Sequence, residues 1–456
     1  MGGLAEHNCE VLLENTLKVS CMKIGVEEEP EIQAAVRVLL GGLGEDVNRE
    51  GIKKTPLRVA KALRYATRGY KQNVNDIVEG ALFPEAGLED DKVGEAGGTG
   101  GIVIVRDLNL YSSCESCLLP FQVECHVGYV PSRQRVVGLS KLSRVADVFA
   151  KRLQDPQRMA DEICLALQCS IEPTGVAVIL ECLHIHFPTL ESTIVDPSQE
   201  GWKKVVVSSG SGVFENKEAG NDMWTEFFRL LKMKRLVADR IQKSISTGHW
   251  CPSQAPSISA IPSDMVSAVA TILRTLGEDQ LRKEVIGTPA RFLNWLINFQ
   301  TRDFKMKLDG FASKIWEPRK SDGDMKGNMK IHSELNLPLR SQCEHHLLPF
   351  YGVVHVGYFS AVGMTPIGKT ILQSVVHFYG SKLQVQERLT KQIAETMAPL
   401  LGGDIIVVAE ASHTCMLSRG VEKFGSSTVT IAVLGRFSTD PKARALFLES
   451  LPFTEL

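Results

Sequence analysis

Long hydrophobic runs are missing from this chain of 456 residues. No apolar stretch approaches the roughly 20 residues a membrane helix needs, which argues against a spanning segment. An excess of either charge is missing too. The formal net charge is −2, so charge alone names neither nucleic acid nor a membrane surface as a partner. Cysteine is present but thin. Eleven are scattered through the chain, which suits reduced thiols or metal ligands better than a disulfide framework. The first 25 residues lack a cationic start followed by an apolar core, and they carry several acids, unlike an export or organelle leader. Glu6 stands where myristoylation wants Ser or Thr. The cytosol is the expected compartment. The glycine-rich GEAGGTGG at 94–101 lacks the Gly-Lys-Ser/Thr ending of a phosphate loop.

What the chain does have is a repeat. Residues 114–129 read CESCLLPFQVECHVGY and residues 343–358 read CEHHLLPFYGVVHVGY, with ten of sixteen positions identical at an offset of 229 (343 minus 114). LGED recurs at Leu43–Asp46 and Leu276–Asp279, and Thr55-Pro56-Leu57-Arg58 recurs as Thr288-Pro289-Ala290-Arg291. Similarity at so long a period means two domains of one fold. The spacing predicts a tail over 1–30, a first domain over 31–231, a linker over 232–262 and a second domain over 263–456. Each domain opens with a helical segment: Ile32, Val36, Leu39 and Leu40 follow helical spacing in the first, and Ser263 or Asp264 is the expected N-cap in the second. Strand-like stretches such as GIVIVRDLNLYS and DIIVVAEASHTCML flank amphipathic helices at about 140–170 and 370–400. A further helix is expected over 225–242. Long antiparallel runs with helices point to an α+β class, an antiparallel sheet packed with helices.

The reactive residues differ between the copies. In the second, Cys343-Glu344-His345-His346 is followed by His413-Thr414-Cys415. Zinc prefers thiolate and imidazole, and a catalytic site uses three protein ligands with one open position. Cys343, His346 and Cys415 provide such a set. Alternation on a strand would place His413 and Cys415 on one face. His345 and His413 remain as titratable neighbours able to move protons, which implies metal-assisted hydrolysis. The alternative is a group of core thiols and hydrogen-bonded histidines. In the first copy Ser116 and Cys117 replace the two histidines. Cys114, Cys117 and His186 stand at the three ligand positions with Cys and His exchanged, so that set is a candidate for a second zinc. His126 and His355 are expected to serve packing, and Cys125, Cys164, Cys169, Cys182 and Cys251 to be inert thiols.

On CEHH, GLSK, QVQERLT and His-x-Cys with a following arginine, occurring in this order, the chain resembles the GTP cyclohydrolase I family across both halves, in the tandem form found in plants. The resemblance implies two tandem T-fold (tunnelling fold) domains, a Zn2+ cofactor, and conversion of GTP and water to formate and 7,8-dihydroneopterin triphosphate. That is the first step of pterin and folate biosynthesis. It implies a homo-oligomer, at least a dimer of the tandem chain, with neither nucleic acid nor membrane as partner. It assigns metal binding to Cys343, His346 and Cys415, and proton transfer to His345 and His413. Guanine falls to Gln386 and Glu387, and triphosphate to Arg291 and Arg419. In the second copy, however, Ile371, Ser374 and Asn294 replace phosphate-binding cations. The first copy keeps those cations as Lys61, Lys141 and Arg144, and with Arg58 and Ser140 they make up the family's triphosphate contacts. It loses the guanine pair to Pro156 and Gln157, a catalytic histidine to Ser116, and the late arginine to Leu190.

Complementary losses suggest active sites composed from both domains, since the family builds its site between subunits. The alternative is a first copy decayed to scaffold. At the level of the whole chain, the competitors are a regulatory paralogue without activity and a related T-fold enzyme acting on a pterin or deazapurine.

Overall fold

The computed structural model describes residues 29–80, 82–84, 101–132, 135–186, 201–215, 222–231, 250–252, 261–279, 281–300, 329–361, 367–419 and 426–452. The tail through residue 28, the stretch 85–100, most of 232–262, Leu190 and the stretch 301–328 lie outside them.

Two helices come first, α1 (Glu29–Gly42) and α2 (Thr55–Ala66). Ile32, Val36, Leu39 and Leu40 are all buried, as their spacing predicts. The first copy then forms a five-stranded sheet from β1 (Val103–Cys114), β2 (Pro120–Val130), β3 (Leu153–Gln154), β4 (Gly175–His186) and β5 (Gly201–Gly212), in the order β3-β1-β2-β4-β5. Pairing is antiparallel throughout except for the short β3, which runs parallel to β1. Helices α3 (Leu139–Ala150), α4 (Pro156–Ile171) and α5 (Asp222–Leu230) belong to this copy.

The second copy repeats the plan. Helices α6 (Ser263–Thr275) and α7 (Thr288–Gln300) are followed by β6 (Met329–Cys343), β7 (Pro349–Ala361), α8 (Lys369–Gly380), β8 (Leu383–Gln384), α9 (Gln386–Met397), β9 (Ile405–His413), β10 (Thr428–Leu434) and α10 (Pro441–Glu449). The strand order β8-β6-β7-β9-β10 is that of the first sheet. The α+β class expected from the sequence is therefore observed twice.

Some details differ from expectation. Each long amphipathic stretch is two helices, broken by a two-residue strand. In the first copy the break is enforced by Asp155, whose side chain accepts from the Gln157 amide as N-cap, with Pro156 opening α4. Helix α6 is capped by Pro262, so Asp264 lies in its first turn instead. The helix expected over 225–242 is α5, and residues 232–242 lie outside the described ones.

Strand β9 explains why IIVVA reads as one apolar run. Ile405, Val407, Ala409 and Ala411 pack in a core with Leu372, Val375, Leu389 and Ile393 of α8 and α9. The alternate residues Ile406 and Val408 pack with Phe437 and Phe447. Both faces of the strand are covered, so neither can be polar. Fully burying such a side chain contributes about 1.5–3 kcal/mol. Phe447 of α10 sits so close that a Cβ at Gly357 would lie 2.4 Å from its ring. Phe227 of α5 stands in the same relation to Gly128. The glycine of each HVGY motif is thus a seat for an aromatic ring.

The compact units do not follow the two copies. One comprises residues up to Leu39 together with Ala60–Trp295, and the other comprises Leu40–Val59 together with Leu296 onward. The first sheet therefore draws α6 and most of α7 from the second copy. The second sheet draws residues 40–59 from the first. Among the described residues no helix is long and apolar enough to cross a membrane.

Candidate active site

In the unit of the second sheet, β6 ends at Cys343 and the chain turns tightly before β7. The Cys343 carbonyl accepts from the amides of His346 (3.3 Å) and Leu347 (2.9 Å), and the Cys343 amide donates to Leu348 O (2.9 Å). Leu347 takes φ 55°, and its counterpart Leu118 takes φ 60°. A leucine is strained by roughly 1–2 kcal/mol there. At the far side β9 ends at His413. Cys415 lies in a helical turn, Thr414–Leu417, rather than on the strand. The expected alternation of His413 and Cys415 does not apply, because the strand gives way to a helical turn at Thr414, whose Oγ1 donates to Pro349 O (2.6 Å).

The ligand atoms of Cys343, His346 and Cys415 all lie within 4.8 Å of one another. Cys343 Sγ stands 3.9 Å from His346 Nδ1, and both sulfurs are buried. The Cys415 thiol beside it, together with His346, His413 and the His345 amide, holds the Cys343 thiol far below its ordinary range. The neighbouring Cys343 and burial push the Cys415 thiol up. Two sulfurs and one imidazole nitrogen, with one sulfur already inclined to thiolate, form a donor set that fits zinc and leaves a fourth position for substrate or water.

The remaining two histidines stand beside this trio. His413 stacks on Phe350 at 4.4 Å, and its Nε2 donates to Gln386 Oε1 at 2.8 Å. Donor and acceptor follow from the Gln386 amide nitrogen, which is spent on Ala409 O (3.0 Å), Thr428 O (2.8 Å) and Thr430 Oγ1 (3.2 Å). His345 is partly exposed. Burial lowers its pKa, and the Arg58 guanidinium adds to that, against the opposing Cys343 and Glu344.

Glu344, inside the CEHH motif, is 2% exposed and held by two arginines. Arg388 Nη2 lies 2.7 Å and Arg49 Nη1 3.0 Å from its Oε2. Thr55 Oγ1 donates to its backbone carbonyl at 2.7 Å. The first sheet repeats the arrangement. Glu115 Oε2 meets Arg158 Nη2 (2.7 Å) and Arg282 Nη1 (2.8 Å), and Thr288 Oγ1 donates to its carbonyl at 2.5 Å. Sequence reasoning passed over these six charged residues. Four of them lie in or beside the motifs it quoted, and the recurrence of LGED followed by an arginine was the available signal for Arg49 and Arg282.

The structure divides the expected site residues between the units. Cys343, His345, His346, Gln386, His413 and Cys415 come together with Arg58 near His345. Arg419 Nε donates to Cys415 O at 2.9 Å. Glu387 is exposed and lines a cavity of about 430 Å³ with Lys391, Glu395 and residues of β10. Lys61, Ser140 and Arg144 belong to the other unit and are exposed. Lys141 is there too, with Nζ donating to Ile77 O at 2.6 Å. So is Arg291, whose Nε donates to Ser116 O (3.0 Å) and Nη2 to Glu284 O (2.9 Å). Of the residues read as packing histidines, His126 and His355 each accept the amide of a bulge residue, Asp107 (3.1 Å) and Asn336 (3.3 Å). Cys169, expected as an inert thiol, is disulfide-bonded.

A thiol–imidazole trio flanked by two further histidines, on an antiparallel sheet backed by helices, is a group that could hold a metal ion. Comparison with known proteins narrows this. The family model for GTP cyclohydrolase I matches residues 32–229 and again 265–452, so the chain belongs to that family and carries two tandem T-fold domains. GTP cyclohydrolase 1 of Solanum lycopersicum is 61% identical over 458 residues, covering 99% of this chain and 98% of that protein. The Arabidopsis thaliana protein of the same name is 58% identical over 464 residues, covering 100% and 98%. That of Dictyostelium discoideum is 39% identical over 204 residues, which is 45% of this chain and 78% of its own length. The chain is an enzyme of the GTP cyclohydrolase I class.

Proposed function

We propose that the second sheet carries a zinc-dependent site converting GTP and water to formate and 7,8-dihydroneopterin triphosphate. The convergence of Cys343, His346 and Cys415, with His345 and His413 close by, carries this reading. When bound, zinc supplies a Lewis acid that makes water nucleophilic near neutral pH. The chain's own residues do the rest. Gln386 fixes the His413 ring and its tautomer, so that His413 can move a proton at one defined nitrogen. His345, with burial and Arg58 favouring the neutral imidazole, is suited to accept a proton from the attacking water and return it to a ring nitrogen of the base. Glu387 offers a carboxylate to the paired N1–H and exocyclic amine of guanine.

Three phosphates need several cations, and Arg58 and Arg419 lie in this unit. Ser140, Lys141, Arg144 and Lys61 supply the remaining phosphate contacts, with Arg giving forked hydrogen bonds and Lys a point charge. Arg291, which like Lys141 and Arg419 also donates to backbone carbonyls, completes the set. The working form is a homo-oligomer, at least a dimer of the tandem chain, in the cytosol.

Formate release from GTP is the test, comparing the zinc-loaded chain with Lys141→Ala and Cys343→Ser. Activity is expected in the first and lost with Cys343→Ser. Lys141→Ala is expected to raise KM for GTP strongly. An unchanged KM would remove the first copy from the phosphate site, and a silent wild type with zinc bound would favour the regulatory reading.

A further inference from the structure

The first unit holds a cluster the catalytic reading does not use. Cys114, Cys117, His184 and Cys251 bring one ligand atom each to within 4.8 Å of the other three. Cys114, Cys117 and His184 are 2%, 0% and 0% exposed. Cys251 comes from outside the sheet, on the described segment 250–252.

We propose that these four residues form a closed, structural site for a soft divalent ion such as zinc, distinct from the trio in the second unit. Three sulfurs and one imidazole make a complete tetrahedral set of the structural kind. The spacing agrees. Bonds of about 2.3 Å to sulfur and about 2.0–2.1 Å to nitrogen at tetrahedral angles place the two atoms about 3.5 Å apart. Cys117 Sγ and His184 Nε2 are 3.4 Å apart.

The histidine's tautomer also suits the site. Its Nδ1 lies 2.7 Å from Ile185 O. Only a ring N–H can make that contact, so in the neutral ring Nε2 carries the lone pair and faces the sulfurs. A backbone acceptor on the far nitrogen is the usual orienting device of metal-binding histidines. Phe121 stacks on the ring at 6.0 Å and Trp250 meets it edge-on at 5.6 Å. Trp250 is in turn held by its amide, which donates to Asp155 Oδ2 at 3.2 Å.

The two copies explain why His184 can serve here and His413 cannot. His413 is tied through Nε2 to Gln386. The first copy has Pro156 at that position, with no oxygen to offer, and the ring nitrogen is released toward the cysteines. The side chain of His186, which the repeat places opposite Cys415, lies outside the described ones. The fourth ligand is supplied by Cys251. With four protein ligands no position stays open, so this ion would perform no chemistry. It would pin the 250–252 segment to the sheet.

The test is metal content per chain after zinc loading and exposure to a mild chelator. Two equivalents are expected in the full-length protein. Cys114→Ser with Cys117→Ser should leave one, and Cys343→Ser with Cys415→Ser should also leave one, so the two sites are counted independently. Wild type saturating at one equivalent, or an unchanged count in the Cys114/Cys117 variant, would overturn the proposal. Should that variant not fold, Cys251→Ser alters no strand residue. It should weaken retention of one equivalent by more than about ten-fold, the lower edge of what losing even an outer partner costs. In the cobalt-substituted protein it should lower the thiolate charge-transfer absorbance. Equal retention and an unchanged spectrum would count against the site.

Discussion

The two sheets share strand order, the strained leucine turn and a glutamate clamped by two arginines, yet the sites at the ends of their strands differ. In the second sheet three ligand atoms converge and both extra histidines stand beside them, one held by Gln386. In the first, four converge, the histidine faces inward, and the fourth donor arrives from a distant segment. In the proposed reading, a single exchange at the start of the helix after the short strand, glutamine in one copy and proline in the other, sets whether the histidine moves protons or binds an ion. Open and closed sites thus rest on one scaffold. The difference lies in what each histidine's far nitrogen is given to hold.

The sharpest way to break this comparison is to remove one ligand from each side. Cys343→Ser is expected to abolish formate release, a loss beyond the about 10–100-fold that follows from disturbing outer partners. Cys117→Ser should keep most of the activity in the fraction that folds. Equal losses would mean that both sites support catalysis. Next in size is the clamp. Glu344→Gln leaves two arginines without their buried carboxylate, and Glu115→Gln does the same in the other unit. Each should lower thermal stability by an amount approaching about 3–5 kcal/mol, reduced because the guanidinium groups are partly exposed. Calorimetry that resolves separate transitions for the two units would show whether each substitution moves only its own.

A subtler test is Gln386→Leu. His413 loses its acceptor, and kcat should fall about 10–100-fold while zinc content stays constant. A loss of zinc instead would mean that Gln386 supports the metal and not the proton carrier. The smallest expected effect belongs to Thr55→Val and Thr288→Val. Each removes one buried hydroxyl-to-carbonyl bond, worth about 1 kcal/mol, in opposite units. Matching shifts in denaturation midpoint would confirm that the two contacts are equivalent.

Much of this was legible in the sequence. The long-period repeat gave the duplication, and strand alternation with helical spacing gave the α+β class. The Cys343, His346 and Cys415 trio could be read because its members sit in short motifs that zinc chemistry picks out. Other features were not legible, for physical reasons. Cys251 has no counterpart in the second copy and no patterned neighbours, so only the folded chain brings it to Cys117. The approach of His184 to the cysteines depends on which of its ring nitrogens finds an acceptor, and residue type does not encode that. The fate of Arg291 depends on which sheet its helix joins, which the repeat leaves open because both copies offer the same turn.

That last feature bears on how the protein is made. Residues 40–59 leave the ribosome early, but the sheet they complete is not finished until β10 has been synthesised. The first sheet, whose strands end at Gly212, likewise waits for helical residues 263–295. Domains ordinarily fold as units during synthesis, the N-terminal one first. Here the first unit is complete only once residues 263–295 of the second copy have been made, and a ribosome stalled between the copies would hold a sheet still lacking the helix whose Thr288 donates to the Glu115 carbonyl.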